Sequence, residues 1–214
     1  MRKKIISAAL FLLILIVLRL FFFEIYTINQ NSMNNTYKSG DKVLIIKNLY
    51  SVDYNDILVF KHFNKKMIKR CVGLPGNTFK IIEGKTYCDD IILPMPNKAI
   101  NRNISEADAI AKAEIYHTYK KNDWTLYNFG PYLIPKTGTK VSLNSENILL
   151  YKKLIENSIS DNFKVNENSK ENEYIFTSNF YFLIGDNRTE SVDSRFFGPV
   201  KENDIIGKVI LKIW

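Results

Sequence analysis

The chain has 214 residues, room for one membrane segment and one domain of moderate size, and a formal net charge of +8. Four of its 30 basic residues, Arg2, Lys3, Lys4 and Arg19, lie in or before the first apolar run, leaving 26 against 22 acidic residues beyond it. That excess is small and dispersed, which suits a surface facing anionic lipid and argues against nucleic acid, for which no motif is present.

The apolar run from Ile5 to Phe23 has nineteen residues, of which only Ser7 and Arg19 are polar. As a helix at 1.5 Å per residue it reaches roughly 28 Å, close to the thickness of a bilayer core. The basic residues before it predict a cytoplasmic N-terminus at 1–4, a transmembrane signal anchor at 5–23, and everything later on the outer face of the cell's inner or plasma membrane. A cleaved secretory signal would need small residues after the run; Phe21-Phe22-Phe23-Glu24-Ile25-Tyr26 offers none. A buried core helix would show a polar stripe at helical spacing, which is absent.

Ile25 to Ile28 reads as a strand, followed by the turn-prone Asn31-Ser32-Met33-Asn34-Asn35-Thr36. Ser32 is nine residues from Phe23, so chemistry there would occur within roughly 30 Å of the anchor's end. Strands are expected at Val43–Lys47, Ile57–Phe60 and Met67–Val72, the last stopped by Gly73-Leu74-Pro75-Gly76-Asn77. On that last strand Met67, Lys69 and Cys71 share one face and Arg70 points away. Lys69 is then short of water if its face is inward, and an ordinary surface lysine if it is not. Phe79–Ile82 and Thr86–Cys88, flanking Glu83-Gly84-Lys85, read as a hairpin.

Residues 98–175 are less patterned. Ser105-Glu106-Ala107-Asp108 looks like the N-terminus of a helix running to Tyr116; Glu146–Glu156 has apolar residues near helical spacing; Asp161–Glu173 reads as a loop. A buried-type strand, Tyr181–Ile184, then precedes Gly185-Asp186-Asn187-Arg188-Thr189-Glu190-Ser191-Val192-Asp193-Ser194-Arg195-Phe196-Phe197-Gly198. Ile205–Trp214 is a final strand. Asp193 and Arg195, if extended, lie on one face at ion-pair distance. Cys71 and Cys88 on the outer side are permitted a disulfide, which spacing alone does not decide. Two cysteines and two histidines (His62, His117) at no ligand-like spacing argue against a metal site, and no cofactor is expected.

Taken in this order, the segments resemble the type I signal peptidases, membrane-anchored serine proteases with a Ser–Lys dyad. The resemblance rests on Ser32–Thr36 after the anchor, on Gly40-Asp41 with Val43 and Ile45, on Lys69-Arg70-Cys71-Val72-Gly73-Leu74-Pro75-Gly76, and most specifically on Gly185–Gly198. It implies a mainly β catalytic domain, split into 24–97 and 176–214 around a mixed α/β insertion at 98–175. It implies Ser32 as nucleophile and Lys69 as general base, neutral through burial against apolar groups. It further implies that the Ser32 N–H holds the oxyanion, Ser191 orients the lysine amine, Asp193 and Arg195 pair beside it, Asp186 supports that corner, and Met33 contacts substrate. The substrates implied are exported preproteins whose signal peptides carry small residues at −1 and −3, cut at the bilayer with the secretion translocon nearby. The family usually has proline where Asn35 stands and an acidic residue where Asn77 stands. In some members a serine that donates to the oxyanion stands at the position of Gln30.

Two other readings compete. Ser39-Gly40-Asp41-Lys42, Ser160-Asp161-Asn162 and Lys136-Thr137-Gly138 match the three motifs of penicillin-recognising enzymes, but the last two occur in the wrong order. A catalytically impaired, membrane-anchored binding or assembly protein is permitted by the changes at Gln30 and Asn35, and opposed by an intact Ser32, Lys69 and Ser191.

Overall fold

The computed structural model describes residues 2–48, 50–96, 124–158 and 173–214. Its first element, helix α1 (Arg2–Phe21), is long and apolar enough to cross a membrane, and none of its apolar window is buried by the rest of the chain. The helix stops two residues short of the apolar run, because Phe23 pairs with Ile46 and opens the first strand.

That strand, β1 (Phe23–Thr27), is followed by β2 (Lys42–Ile46), β3 (Ile57–His62) and β4 (Lys65–Gly73). They are joined in one sheet by β11 (Phe180–Ile184), β12 (Val200–Lys201) and β13 (Ile205–Lys212), in the order β1-β2-β13-β3-β4-β11-β12. The sheet is strongly curled. β1 and β4 are separated by three strands, yet Lys66 pairs with Glu24 at 2.8 Å and the Tyr26 hydroxyl donates to the Lys66 carbonyl at 3.2 Å.

Alternation along β3 and β4 divides their side chains cleanly. Ile57, Val59 and Ile68 join Ile28, Met33, Val43 and Ile45 in one buried cluster; Leu58, Phe60, Cys71 and Met67 join Tyr181, Leu183 and Val200 in another. β4 is an interior strand, with β3 on one side and β11 on the other, so Lys69 does not lie on an exposed edge.

A second sheet has the order β7-β6-β5-β8, formed by β5 (Thr78–Ile82), β6 (Lys85–Cys88), β7 (Ile91–Ile92) and β8 (Phe129–Leu133). β5 and β6 make the expected hairpin, turned by Glu83 and Gly84 at φ 49° and 75°. A two-stranded ribbon of β9 (Lys140–Ser142) and β10 (Glu173–Ile175), and helix α2 (Ser145–Ser158), complete this half. The stretch read as an insertion is not set apart. β8 pairs with β5, and Phe129, Tyr132, Ile134, Leu154 and Ile155 share one core with Val72, Phe79, Phe182 and Ile184. The expected helix at 105–116 and most of the expected loop at 161–173 lie outside the described residues; Glu173 itself opens β10.

Cys71 and Cys88 are both buried free thiols rather than a disulfide, and burial pushes the Cys71 thiol up to about 12.

Candidate active site

β4 delivers Lys69 to the site, and the turn after β1 delivers Ser32. Lys69 has no exposed surface, and its Nζ donates to Ser32 Oγ at 2.6 Å and to the Ile68 carbonyl at 3.1 Å. Burial pushes the amine down to about 8; Asp193 raises it and Arg195 lowers it by smaller amounts. At pH 7 roughly one such amine in ten is neutral, against a few in ten thousand for a free lysine.

The turn carrying Ser32 is closed by its own backbone and by the loop after β11. Asn34 N donates to the Asn31 carbonyl at 3.0 Å, and Thr36 N and Tyr37 N donate to the Met33 carbonyl at 3.0 and 2.8 Å. From across the sheet, Asn187 N donates to the Ser32 carbonyl at 3.0 Å. Among the described residues the Ser32 N–H donates to nothing, so it is free for a ligand. Gly185 is required by this contact: a Cβ there would sit 2.5 Å from the Ser32 carbonyl oxygen and 2.2 Å from Ser191 Oγ.

Asn35 adopts φ 74°, a region asparagine tolerates and proline cannot reach. The turn at Ser32 is therefore built differently from one carrying proline at that position. Asn77 likewise has its own logic. Its oxygen accepts from Leu74 N at 2.8 Å and from the Tyr54 hydroxyl at 2.7 Å, while its amide donates to Asp89 at 2.5 Å. An acid at 77 would face Asp89 with a like charge.

Asp186 does not touch the lysine. Its carboxylate takes a two-pronged ion pair from Arg70, with Nε at 2.8 Å and Nη2 at 2.7 Å, and a hydrogen bond from the Thr36 hydroxyl at 2.6 Å. Asp186 thus ties β4, the Ser32 turn and the loop after β11 together. Arg70, on the face opposite Lys69, is the supporting residue that strand alternation alone left without a role. Its signal is a cation inside an apolar strand, which needs a buried acid.

Asp193 and Arg195 do pair, at 2.8 Å through both Nε and Nη2, but not as extended residues sharing a face. Asp193 caps a short helix, α3 (Ser194–Phe197), and also accepts from Gly185 N at 3.1 Å. With Arg195 and these donors around it, the fully buried carboxyl stays below the usual range although burial alone would raise it. Arg195 additionally donates to the Arg188 carbonyl at 2.9 Å.

Three expectations change. The Ser191 hydroxyl is buried against Gly185 and helps hold the Asp193 carboxyl low, and it makes no hydrogen bond to the Lys69 amine. Met33 is fully buried; its sulfur accepts from Asp186 N at 3.4 Å, and its side chain packs into the core instead of lining a substrate groove. Gln30 directs its amide to the Lys66 carbonyl at 3.5 Å, on β4 rather than at the Ser32 hydroxyl. No cluster of metal-ligating side chains occurs among the described residues.

A serine hydroxyl in contact with a dry amine that gives up its proton far more readily than a free lysine, with a free backbone N–H at the same residue, is equipped for nucleophilic attack on a carbonyl. Comparison with known proteins identifies the family. Residues 1–214 match the family described as Signal peptidase, peptidase S26. The signal peptidase I of Buchnera aphidicola subsp. Baizongia pistaciae is 31% identical, over 95% of this chain and 73% of that protein. That of Aquifex aeolicus is 30% identical, over 99% of this chain and 83% of that protein. A crystal structure of a signal peptidase I from Enterococcus faecalis overlaps 76% of this chain and 100% of its own with a TM-score of 0.39 and 20% identity.

Proposed function

The chain belongs to the signal peptidase family, peptidase S26, and on that premise we propose that it cuts its substrates with a Ser32–Lys69 dyad while anchored in a membrane by α1. Members of this family are peptidases that remove signal peptides from preproteins, and this chain is one of them. The observation that carries the dyad is the 2.6 Å approach of Lys69 Nζ to Ser32 Oγ by an amine with no exposed surface.

In the reaction, neutral Lys69 takes the Ser32 hydroxyl proton as Oγ bonds to the scissile carbonyl carbon. The negative charge that develops on the carbonyl oxygen is met by the Ser32 N–H. The Lys69 ammonium then gives its proton to the leaving amine as the C–N bond breaks. Neutral again, Lys69 deprotonates a water that attacks the acyl-enzyme. The ester bond to Oγ breaks, and the proton returns to Ser32. Arg70–Asp186 and Asp193–Arg195 hold the two elements in register and touch no reacting atom.

The anchor supplies proximity. With the N-terminus cytoplasmic and the β domain outside, enzyme and signal peptide share one bilayer near the translocon, which raises their effective concentration. The preferred substrates carry small residues at −1 and −3.

Purified protein in detergent, mixed with a preprotein, tests the dyad. Cleavage is expected to fall about 10⁴-fold or more in Ser32→Ala and in Lys69→Ala. Unchanged cleavage in either variant removes the dyad. Binding of preprotein without cleavage by the wild type would favour the impaired binding protein instead.

A further inference from the structure

Beside the outer end of α1 lies a pocket of about 480 Å³ lined by Lys47, Asn48, Tyr50, Ser51, Tyr181 and Glu202, among others. Two of these clasp the helix terminus. Lys47 Nζ donates to the Leu20 carbonyl at 2.6 Å, and Asn48 Nδ2 donates to the Phe21 carbonyl at 2.7 Å, satisfying carbonyls that a helix end leaves open. If α1 spans the bilayer, these contacts put the pocket at the depth of the lipid headgroups.

The lining carries one charge of each sign. Lys47 has donors left after its bond to Leu20. Across from it, the Glu202 carboxylate accepts from the Tyr181 hydroxyl at 3.3 Å and from Asn179 at 3.1 Å, and no cation pairs with it among the described residues. Tyr50 and Tyr181 both line the pocket with Glu202, and burial, then the Glu202 charge, raise both hydroxyls. Tyrosines of this kind, apolar in body and polar at the tip, belong at a membrane–water boundary.

We propose that this pocket seats the headgroup of a phospholipid bearing both an amine and a phosphate, of the phosphatidylethanolamine class. Lys47 and Asn48 meet the phosphate; Glu202 and the tyrosine hydroxyls meet the ammonium. An anionic lipid would set its charge against Glu202, and a choline headgroup offers no N–H to the carboxylate. Tyr181 lies on β11, about 13 Å from Gly185 along the strand, so an occupied pocket fixes the height of the loop that grips Ser32. The proposal rests on the membrane-anchor reading above.

The test uses the full-length protein, delipidated in detergent and re-exposed to dioleoyl lipids, with retained lipid counted by native mass spectrometry. Phosphatidylethanolamine should be retained about three- to fivefold more than phosphatidylglycerol, the scale of a solvent-exposed ion pair. Glu202→Gln should erase the preference and Glu202→Lys reverse it, with cleavage of a soluble peptide in detergent unchanged in both. Equal retention of the two lipids by the wild type, which needs no variant to fold, overturns the proposal. So does an unchanged preference in Glu202→Gln. Glycerophosphoethanolamine that competes as strongly as the lipid would assign the pocket to a soluble ligand and overturn the lipid reading. Carbonate extraction separates the two levels: protein released from membranes defeats the anchor itself, whereas protein that stays but shows no preference defeats only the pocket.

Discussion

The two halves of the β domain are held together by opposite means. Around the second sheet and α2 the interior is apolar and aromatic: Phe79 stacks on Phe182 at 4.1 Å, Trp124 lies 4.5 Å from Phe129, and Tyr132 packs on Tyr151 at 5.3 Å. Around β4 and the loop after β11 the interior holds Lys69, Arg70, Asp186, Asn187, Arg188, Ser191, Asp193, Ser194 and Arg195. Burying charges costs several kcal/mol per ion unless each is paired. The fold accepts that cost where an amine must be kept dry, and makes up stability on the other side with rings. The two regimes meet on β11, where Phe180, Phe182 and Ile184 enter the aromatic core while Tyr181 and Leu183 enter the cluster behind β4.

The sharpest way to break this contrast is one substitution on each side. Phe182→Ala should cost about 3–5 kcal/mol by leaving a cavity. Asp186→Ala should cost about the same by stranding Arg70. Thermal melts read both losses. The difference appears in cleavage measured well below the melting point: it should survive in Phe182→Ala and fall in Asp186→Ala, which also frees Thr36 and the turn beneath Ser32. Equal activity losses would mean that the charged network is merely structural.

A smaller effect should come from Asn35. Proline there cannot adopt φ 74°, so Asn35→Pro should destabilise by about 2 kcal/mol and slow cleavage, whereas Asn35→Gly should lie within about 0.5 kcal/mol of the parent. A proline variant as stable as the parent would show that the turn is free to change shape.

The smallest expected effect is in the pH profile. With Lys69 near 8, its neutral fraction and the cleavage rate should climb about tenfold between pH 7 and 9. An ascending limb near pH 10.5 would mean the amine is solvated. The same group affects stability. Between pH 8 and 10.5 the unfolded chain binds a proton at Lys69 that the folded chain refuses, so this site's contribution to stability rises with pH across that window.

How much of this was legible beforehand differs by element. Alternation along β4 correctly separates Met67, Lys69 and Cys71 from Ile68 and Arg70, because a strand has a fixed period of two. The apolar run of β11 and the Glu83-Gly84 hairpin were equally open to inspection. The meeting of Ser32 with Lys69 was not, because it depends on a curl of the sheet that no local pattern encodes; only the family resemblance joined them. The Arg70–Asp186 pair was missed for the same reason, its partners being 116 residues apart. Asp193 and Arg195 were paired for the wrong reason, since the capping of α3 and not an extended face brings them together. β8 has no counterpart among the strands expected from sequence; it carries Gly130 and Pro131, which an edge strand tolerates. Met33, which the resemblance places against substrate, is instead the buried apolar plug of its turn.

The bond from Asn187 N to the Ser32 carbonyl also bears on biosynthesis. A nascent chain that has emerged only as far as residue 180 already has α1 and the Ser32 turn with its own backbone bonds, but not the loop after β11 that grips that turn. The candidate site is therefore completed only by about the final sixth of the polypeptide.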